Sequence, residues 1–365
     1  MKIFVAGTRG IPNIMGGIET HCEKLFPELV RQFPDADVTV IRRRHYAHAD
    51  GLKEWKGVKL YDVRSPKKKS LEAIVHTYRA IVRARRQKAD LIHIHAVGPA
   101  LLIPFARLLG LRVVFTHHGP DYDRDKWGRL ATFVLKLGER LGTKYATEVI
   151  VISNVINAIL MRKYGRVDSH LIYNGVDEPQ FCTDEAYMRE LGIEPRKFIL
   201  GMCRFVPEKN LHHLVEAFSR INNNGYKLVL AGDTDFEDDY SRKLKAKAKA
   251  AGVVLPGFIK GEKLRTLLSN ASCYVLPSSH EGLPIALLEA MSYKLPVVVS
   301  NIPANLEVGL PGECYFQLGE VDELAQKLQQ VVDVPFSERT YELSKYQWST
   351  IARQVYGVYR KALTK

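Results

Sequence analysis

The chain has 365 residues, more than one ordinary hydrophobic core accommodates and enough for two domains of about 150 to 200 residues. A hydrophobic share of 46% beside 25% charged residues fits a water-soluble globular protein and excludes a long disordered tail. Five scattered cysteines, Cys22, Cys182, Cys203, Cys273 and Cys314, form no CxxC pair, which excludes a disulfide framework or zinc knuckle and points to a reducing cytoplasm.

From the start, MKIFVAGTRG runs straight into a strand without the apolar stretch of a signal peptide. IFVAG, a helix over about Gly17 to Phe33, VTVI, a helix around Leu71 to Gln87, LIHIHA, a helix ending near Leu109 and VVFTHH then alternate as βα units of a parallel sheet. Ala100 to Leu111 is the most apolar stretch, but Pro104 and Arg107 interrupt it and it falls short of the roughly 20 residues that span a bilayer, so it reads as a buried helix. IYNGVDEPQF follows, with a turn signal at Asn174-Gly175 and Pro179 resisting helix, and reads as an interdomain hinge. The alternation then restarts: KFILGMCRF, a helix over about Leu211 to Asn222, KLVLAGD, a helix around Tyr240 to Ala251, VVLPGFI, a helix near Leu264 to Asn270, CYVLPS, a helix from about Pro284 to Ser292, and PVVVS. Two doubly wound, Rossmann-like α/β domains are implied, 1–174 and 175–347, with ligands expected at the carboxyl ends of the strands and both active edges facing a central cleft.

The formal net charge of +13 is unevenly spread. Residues 1–175 hold 30 Lys and Arg against 16 Asp and Glu, and the remainder 23 against 24. The excess clusters at Arg42, Arg43 and Arg44, at Lys67, Lys68 and Lys69, and at Arg83, Arg85, Arg86 and Lys88. Such clusters suit anionic headgroups or serve as a solvated face; nucleic acid is disfavoured, because no aromatics interleave and no helix-turn-helix or zinc-finger pattern is present.

The chemistry concentrates in SSHEGLPIALLEAM. Glu281 precedes a helix and Glu289 lies within it, while Gly282, Leu283 and Pro284 form the turn whose following N–H groups and positive dipole end attract a diphosphate. Glu281 can reach sugar hydroxyls or a developing positive centre, and Glu289 a ribose diol. In GMCRFVPEKN, Arg204 and Lys209 follow the strand that opens the second half; two cations there can offset the charge growing on a leaving diphosphate, so no metal is expected. Asp233 and Asp235 in GDTD follow a strand and read as a helix-capping acidic turn rather than a metal motif. In the first half, Gly7 and Gly10 follow the first strand and Gly16-Gly17 precede Glu19, permitting close approach to a phosphate or sugar. FTHHGPDYDR places His117, His118 and Asp121 after a strand, with the two histidines directed to different sides.

These motifs resemble the GT-B group of retaining glycosyltransferases often called family four, across nearly the whole chain, with Glu281-x7-Glu289 as the signature. The resemblance implies Glu281 near the donor sugar, Glu289 on the ribose, Arg204 and Lys209 on the diphosphate, Gly17 in the glycine loop facing the phosphates, His118 near the reaction centre, and Phe258 in PGFI where backbone reads the base. It further implies a metal-independent, retaining front-face displacement and a C-terminal helix, about Trp348 to Ala362, that crosses back to complete the first domain. The opening GTRGIPNIMGGIET is similar to enzymes of bacterial surface-polysaccharide synthesis, which implies a lipid-linked acceptor and a cytoplasmic protein peripheral on the inner face of the membrane. Met202-Cys203 departs from the glycine that relatives carry before the arginine.

An NADP oxidoreductase is the rival reading: Gly7-x-x-Gly10 follows the first strand and Arg42 to Arg44 end the second, where an arginine can meet a 2′-phosphate. Pro12 and the missing third glycine oppose it, and it leaves Glu281 and Glu289 unexplained. A GT-B sugar-nucleotide epimerase would use the same donor without an acceptor, and an inactive binding module would not need Arg204, Lys209, Glu281 and Glu289 intact.

Overall fold

A computed structural model describes residues 1–47, 51–66, 69–120, 122, 128–234 and 237–365. The chain forms two compact units, one of Met1–Gly175 with Ser344–Lys365 and the other of Val176–Leu343.

The first unit contains β1 (Lys2–Ala6), α1 (Gly17–Gln32), β2 (Asp37–Arg43), β3 (Glu54–Trp55), β4 (Val58–Val63), α2 (Lys69–Arg86), β5 (Leu91–His95), α3 (Val97–Ala100), α4 (Ile103–Leu108), β6 (Arg112–His117), α5 (Arg129–Tyr145), β7 (Glu148–Val151), α6 (Asn154–Tyr164) and β8 (His170–Leu171). The second contains α7 (Glu185–Leu191), β9 (Phe198–Met202), α8 (Leu211–Ser219), β10 (Lys227–Ala231), α9 (Asp239–Ala250), β11 (Val254–Gly257), α10 (Gly261–Asn270), β12 (Cys273–Leu276), α11 (Ile285–Ser292), β13 (Val297–Ser300), α12 (Pro303–Leu306), β14 (Tyr315–Phe316) and α13 (Val321–Asp333). The last helix, α14 (Trp348–Thr364), belongs to the first unit.

Both sheets are wound outward from their first strand and then back across it. In the first, the order is β3-β4-β2-β1-β5-β6-β7-β8, parallel except for the short β3–β4 hairpin. In the second, it is β11-β10-β9-β12-β13-β14, all parallel. Chain direction across the sheet reverses between β1 and β5 and between β9 and β12, which opens a crevice at their carboxyl ends.

Burial on both faces explains the strand compositions, since Ile3, Val5, Ile92, Ile94, Val113 and Val114 are inaccessible to solvent. Against one face pack Cys22, Leu25, Phe26 and Leu29 of α1 and Ile351, Ala352, Val355, Val358 and Tyr359 of α14, so a segment distant in sequence completes this core. In the second unit Leu211, Leu214, Val215 and Phe218 of α8 and Leu324 and Leu328 of α13 cover Ile199, Leu228, Leu230 and Val275.

Two sequence expectations change. Ala100 to Leu111 is not one buried helix: after α3 the chain turns, α4 has six residues, and its Leu108 is 83% exposed. Arg42 and Arg43 do not join a charged surface. Arg42 is 1% exposed, and its Nε donates to Asp62 Oδ1 at 2.6 Å on the neighbouring strand; Arg43 pairs with Glu72 at 3.3 Å. Of the three arginines that the oxidoreductase reading drew on, only Arg44 is left exposed. Lys67 and Lys68 lie outside the described residues, while Arg85, Arg86 and Lys88 are exposed.

Ile351→Ala removes a fully buried side chain where α14 meets α1, and should cost about 2–5 kcal/mol in denaturant unfolding. An unchanged midpoint would show that α14 does not complete this core.

Candidate functional site

In the second unit the chemistry-bearing residues meet at the carboxyl ends of β9 and β12. After β9 the chain passes Cys203 and Arg204 into a short turn, Pro207–Lys209; after β12 it passes Pro277 to Leu283 into α11. The two loops are joined at several points. The Ser279 N–H donates to the Glu208 carbonyl at 2.9 Å, the Ser279 hydroxyl also donates to the Glu208 carbonyl at 3.2 Å, Asn210 Nδ2 donates to the Pro277 carbonyl at 3.2 Å, and Lys209 Nζ donates to Glu281 Oε1 in an ion pair. The Lys209 and Glu281 side chains are only 16% and 10% exposed, so water screens little of their attraction.

Glu289 stands on α11, two turns beyond Glu281, and is half-buried. Leu283 is buried, its apolar side chain anchoring the turn. The first N–H groups of α11 have no earlier helical carbonyl to bond and form a natural cradle for phosphate oxygens. Phe258 follows β11 and is 44% exposed, with Lys260 Nζ 5.7 Å above its ring. Asp233 is a correction: it pairs with Lys245 at 2.7 Å, and the cap of α9 is Asp238, which accepts from the Ser241 N–H at 2.8 Å. Asp235 lies outside the described residues.

Sequence reading missed Tyr274. This buried residue of β12 donates its hydroxyl to the Met202 carbonyl at 3.3 Å and lies within electrostatic reach of both Glu281 and Glu289. Burial, then the Cys203 thiol and the two carboxylates, pushes its phenol well above the usual range, so it stays a donor. The Met202-Cys203 departure is accommodated: the Cys203 N–H donates to the Ala231 carbonyl at 3.1 Å, and burial pushes its thiol up to about 12.

In the first unit, Gly16 has φ +147°, and a side chain there would strike Glu19 and Arg9. Glu19 is buried; burial alone would raise its carboxyl, but Arg9, donating from its backbone N–H at 3.0 Å and from Nε at 3.2 Å, holds it below the usual range. Gly17 opens α1, exposed, with no neighbour in the space a side chain would take. The two histidines after β6 part as expected. His117 is inaccessible; its Nδ1 accepts from the Gly119 N–H at 3.1 Å and its Nε2 donates to Glu139 at 2.8 Å. His118 turns the other way, its Nε2 2.9 Å from His95 Nδ1. Asp121 lies outside the described residues.

His118 thereby joins a buried histidine array that sequence reading did not assemble. His93 and His95 alternate on β5 and share one face, the signal that could have revealed them. His93 lies between Tyr359 Oη at 2.7 Å and Thr116 Oγ1 at 2.6 Å, with its ring 4.0 Å from that of His95. His21 of α1 packs edge-on to His118 at 5.0 Å and to Trp348 at 5.5 Å. Burial, reinforced by neighbouring rings, lowers His93 and His118 to about 3 and keeps His21 and His95 well below the usual range.

Residues 183–347 match the model of glycosyl transferases group 1, and residues 15–179 that of glycosyltransferase family 4. The chain belongs to the group 1 glycosyltransferases. A glycosyltransferase of Methanocaldococcus jannaschii is 26% identical over 100% of this chain and 99% of its own. An Escherichia coli enzyme described as UDP-Gal:alpha-D-GlcNAc-diphosphoundecaprenol alpha-1,3-galactosyltransferase is 28% identical over 65% of this chain and 63% of its own. Sucrose-phosphate synthase of Thermosynechococcus elongatus superposes with a TM-score of 0.85 at 20% identity, covering 99% of each chain. This group 1 glycosyltransferase therefore has the GT-B fold and draws its sugar from a nucleotide-sugar donor.

Buried histidines of this kind predict a stability that falls with falling pH. An unfolded histidine takes up its proton near pH 6.5, whereas His93, His118 and, on α2, His76 do so only at about 3 when folded. Between those values the unfolded state holds more protons, so stability falls as pH falls, by up to about 1.4 kcal/mol per pH unit for each histidine. Chemical unfolding at pH 7, 6 and 5 should show this steepening loss; equal midpoints would contradict it.

Proposed function

We propose that the chain transfers a hexosyl residue from a nucleoside-diphosphate sugar to a lipid-linked glycan, with retention of configuration and without a metal ion, in bacterial polysaccharide synthesis. The observation that carries this reading is the ion pair of Lys209 with Glu281 at the β9–β12 reversal, beside the N-terminus of α11. The diphosphate binds the free N–H groups of α11 and the cations Arg204 and Lys209; Glu289 accepts from the ribose hydroxyls; the backbone at Phe258 reads the base. The family resemblance assigns Gly16 and Gly17 to the approach of a phosphate and His118 to the donor sugar.

The chemistry follows from these charges. As the bond between the anomeric carbon and the phosphate oxygen breaks, positive charge grows on the sugar and negative charge on the leaving group. Arg204 and Lys209 offset the second, which removes the need for a metal, and the Glu281 carboxylate steadies the first. The acceptor oxygen forms its bond on the face from which the phosphate departs, and the departing phosphate takes the acceptor's proton. Neutral at physiological pH, His118 can bond a hydroxyl without placing a second positive charge beside the anomeric carbon.

The acceptor half of the proposal draws on two supports. One is the printed acceptor of the Escherichia coli relative, a diphosphoundecaprenol-linked sugar. The other is α5, whose outward side carries Arg129, Lys136, Arg140 and Lys144 with Leu130 and Phe133, 78% and 62% exposed. Its one acid, Glu139, is buried. Cations flanking exposed apolar side chains suit an anionic bilayer surface on which a lipid-linked acceptor is held. Among the described residues, no helix is long and apolar enough to cross a membrane.

Two measurements test these halves. Glu281→Gln should reduce transfer about 10²- to 10³-fold while leaving the circular dichroism spectrum unchanged; wild-type turnover would remove Glu281 from the site. Co-sedimentation with phosphatidylglycerol vesicles should exceed that with phosphatidylcholine and drop several-fold in Phe133→Asp; equal recovery from both lipids would contradict peripheral binding.

A further inference from the structure

The array around His118 presents more ligating nitrogen than transfer requires. One ring nitrogen from each of His21, His95 and His118 lies within 4.8 Å of the others. The three come from separate elements, α1, the end of β5 and the residue after β6, and the pairing of His95 with Thr116 fixes the relation of the two strand ends. His21 Nδ1 donates to Asn174 Oδ1 at 3.0 Å, which leaves its lone pair on Nε2. A carbonyl-type acceptor on the remote nitrogen is the support that orients metal-binding histidines. His95 Nε2 is buried without a hydrogen-bond partner, so this ring is not fully satisfied by its protein neighbours.

We propose that His21, His95 and His118 form a three-histidine site for a divalent transition-metal ion of the zinc class, and that occupancy of this site blocks sugar transfer by engaging His118. Imidazole nitrogens about 2.0–2.1 Å from a tetrahedral zinc stand roughly 3.3–3.5 Å apart. His95 Nδ1 and His118 Nε2, at 2.9 Å, must part slightly, and His21 must approach by side-chain rotation. The rings are neutral, so each offers a lone pair without first losing a proton. The hydrogen now between His95 and His118 moves to an outer nitrogen, His95 Nε2 or His118 Nδ1, and no net proton is released. Zinc, a borderline ion suited to imidazole, takes three such ligands and keeps a fourth position for water or an anion. The site itself is independent of the transferase mechanism; its inhibitory consequence rests on the proposed role of His118.

The experiment is metal titration of the intact, metal-free chain, with zinc competing against a chromophoric chelator and cobalt followed by its ligand-field absorption. The expected result is one equivalent bound per chain, intense cobalt bands of four-coordinate geometry, and affinity at least 100-fold weaker in His21→Gln and His95→Gln. Asn174→Ala keeps all three imidazoles and should weaken zinc about 10- to 100-fold, which preserves the test if a histidine variant fails to fold. One equivalent of zinc should also suppress transfer, with recovery on adding EDTA. Binding unaltered in folded His21→Gln and His95→Gln, or no stoichiometric binding by the wild type, would overturn the site; full binding with undiminished transfer would overturn the blocking role. Loss of the transferase reading would show itself separately, as no transfer by the metal-free protein with any nucleotide sugar.

Discussion

Two oppositely charged side chains, Lys209 and Glu281, are held nearly out of water at the reversal point of a parallel sheet, and the geometry of the second unit is arranged around keeping them together. Removing either partner would leave the other charge buried and unpaired, the costly half of a buried ion pair. The loops that carry them are therefore tied at other points, through Ser279 to Glu208 and Asn210 to Pro277. Loops tied in this way hold Arg204, the turn at Gly282 and the first N–H groups of α11 in place, and in the proposed diphosphate site that leaves little motion to freeze on binding. Tyr274 extends the same arrangement inward, a permanently protonated hydroxyl within reach of both carboxylates.

The first unit solves a different problem. Its histidines are stacked in the core between β5, α1 and α14, where burial denies them a charge. The ring His118 offers its surroundings is thus a neutral donor or acceptor, set by its contact with His95, while the adjacent His117 is committed to Glu139. One strand end yields a structural and a chemically available imidazole because neighbouring residues leave it in opposite directions.

Much of the second unit was legible from sequence because its functional residues sit close to the strands and turns that position them. The strand–loop–helix order alone places Arg204, Lys209, Glu281 and Glu289 on loops and a helix at one edge. The remainder was hidden by pairings between distant residues. Arg42 and Arg43 read as a basic cluster because Asp62 and Glu72, which neutralise them, lie on β4 and α2. Tyr274 looked like one more apolar strand residue, and His21 joined His118 only when α1 and β6 met in space. Asp233 reads as a cap because its partner, Lys245, lies inside the following helix α9 and no local pattern marks the pairing. Leu108 is exposed because a short helix turns outward where a largely apolar run suggests burial.

The proposed contact of Lys209, set by Glu281, with the donor's diphosphate can be measured directly. Calorimetric titration of nucleoside diphosphates and of the matching nucleosides, with the wild type and Lys209→Met, addresses that contact directly. The account predicts a loss of at least about tenfold in diphosphate affinity in the variant, with nucleoside affinity unchanged. Equal weakening of both ligands, or of neither, would contradict it.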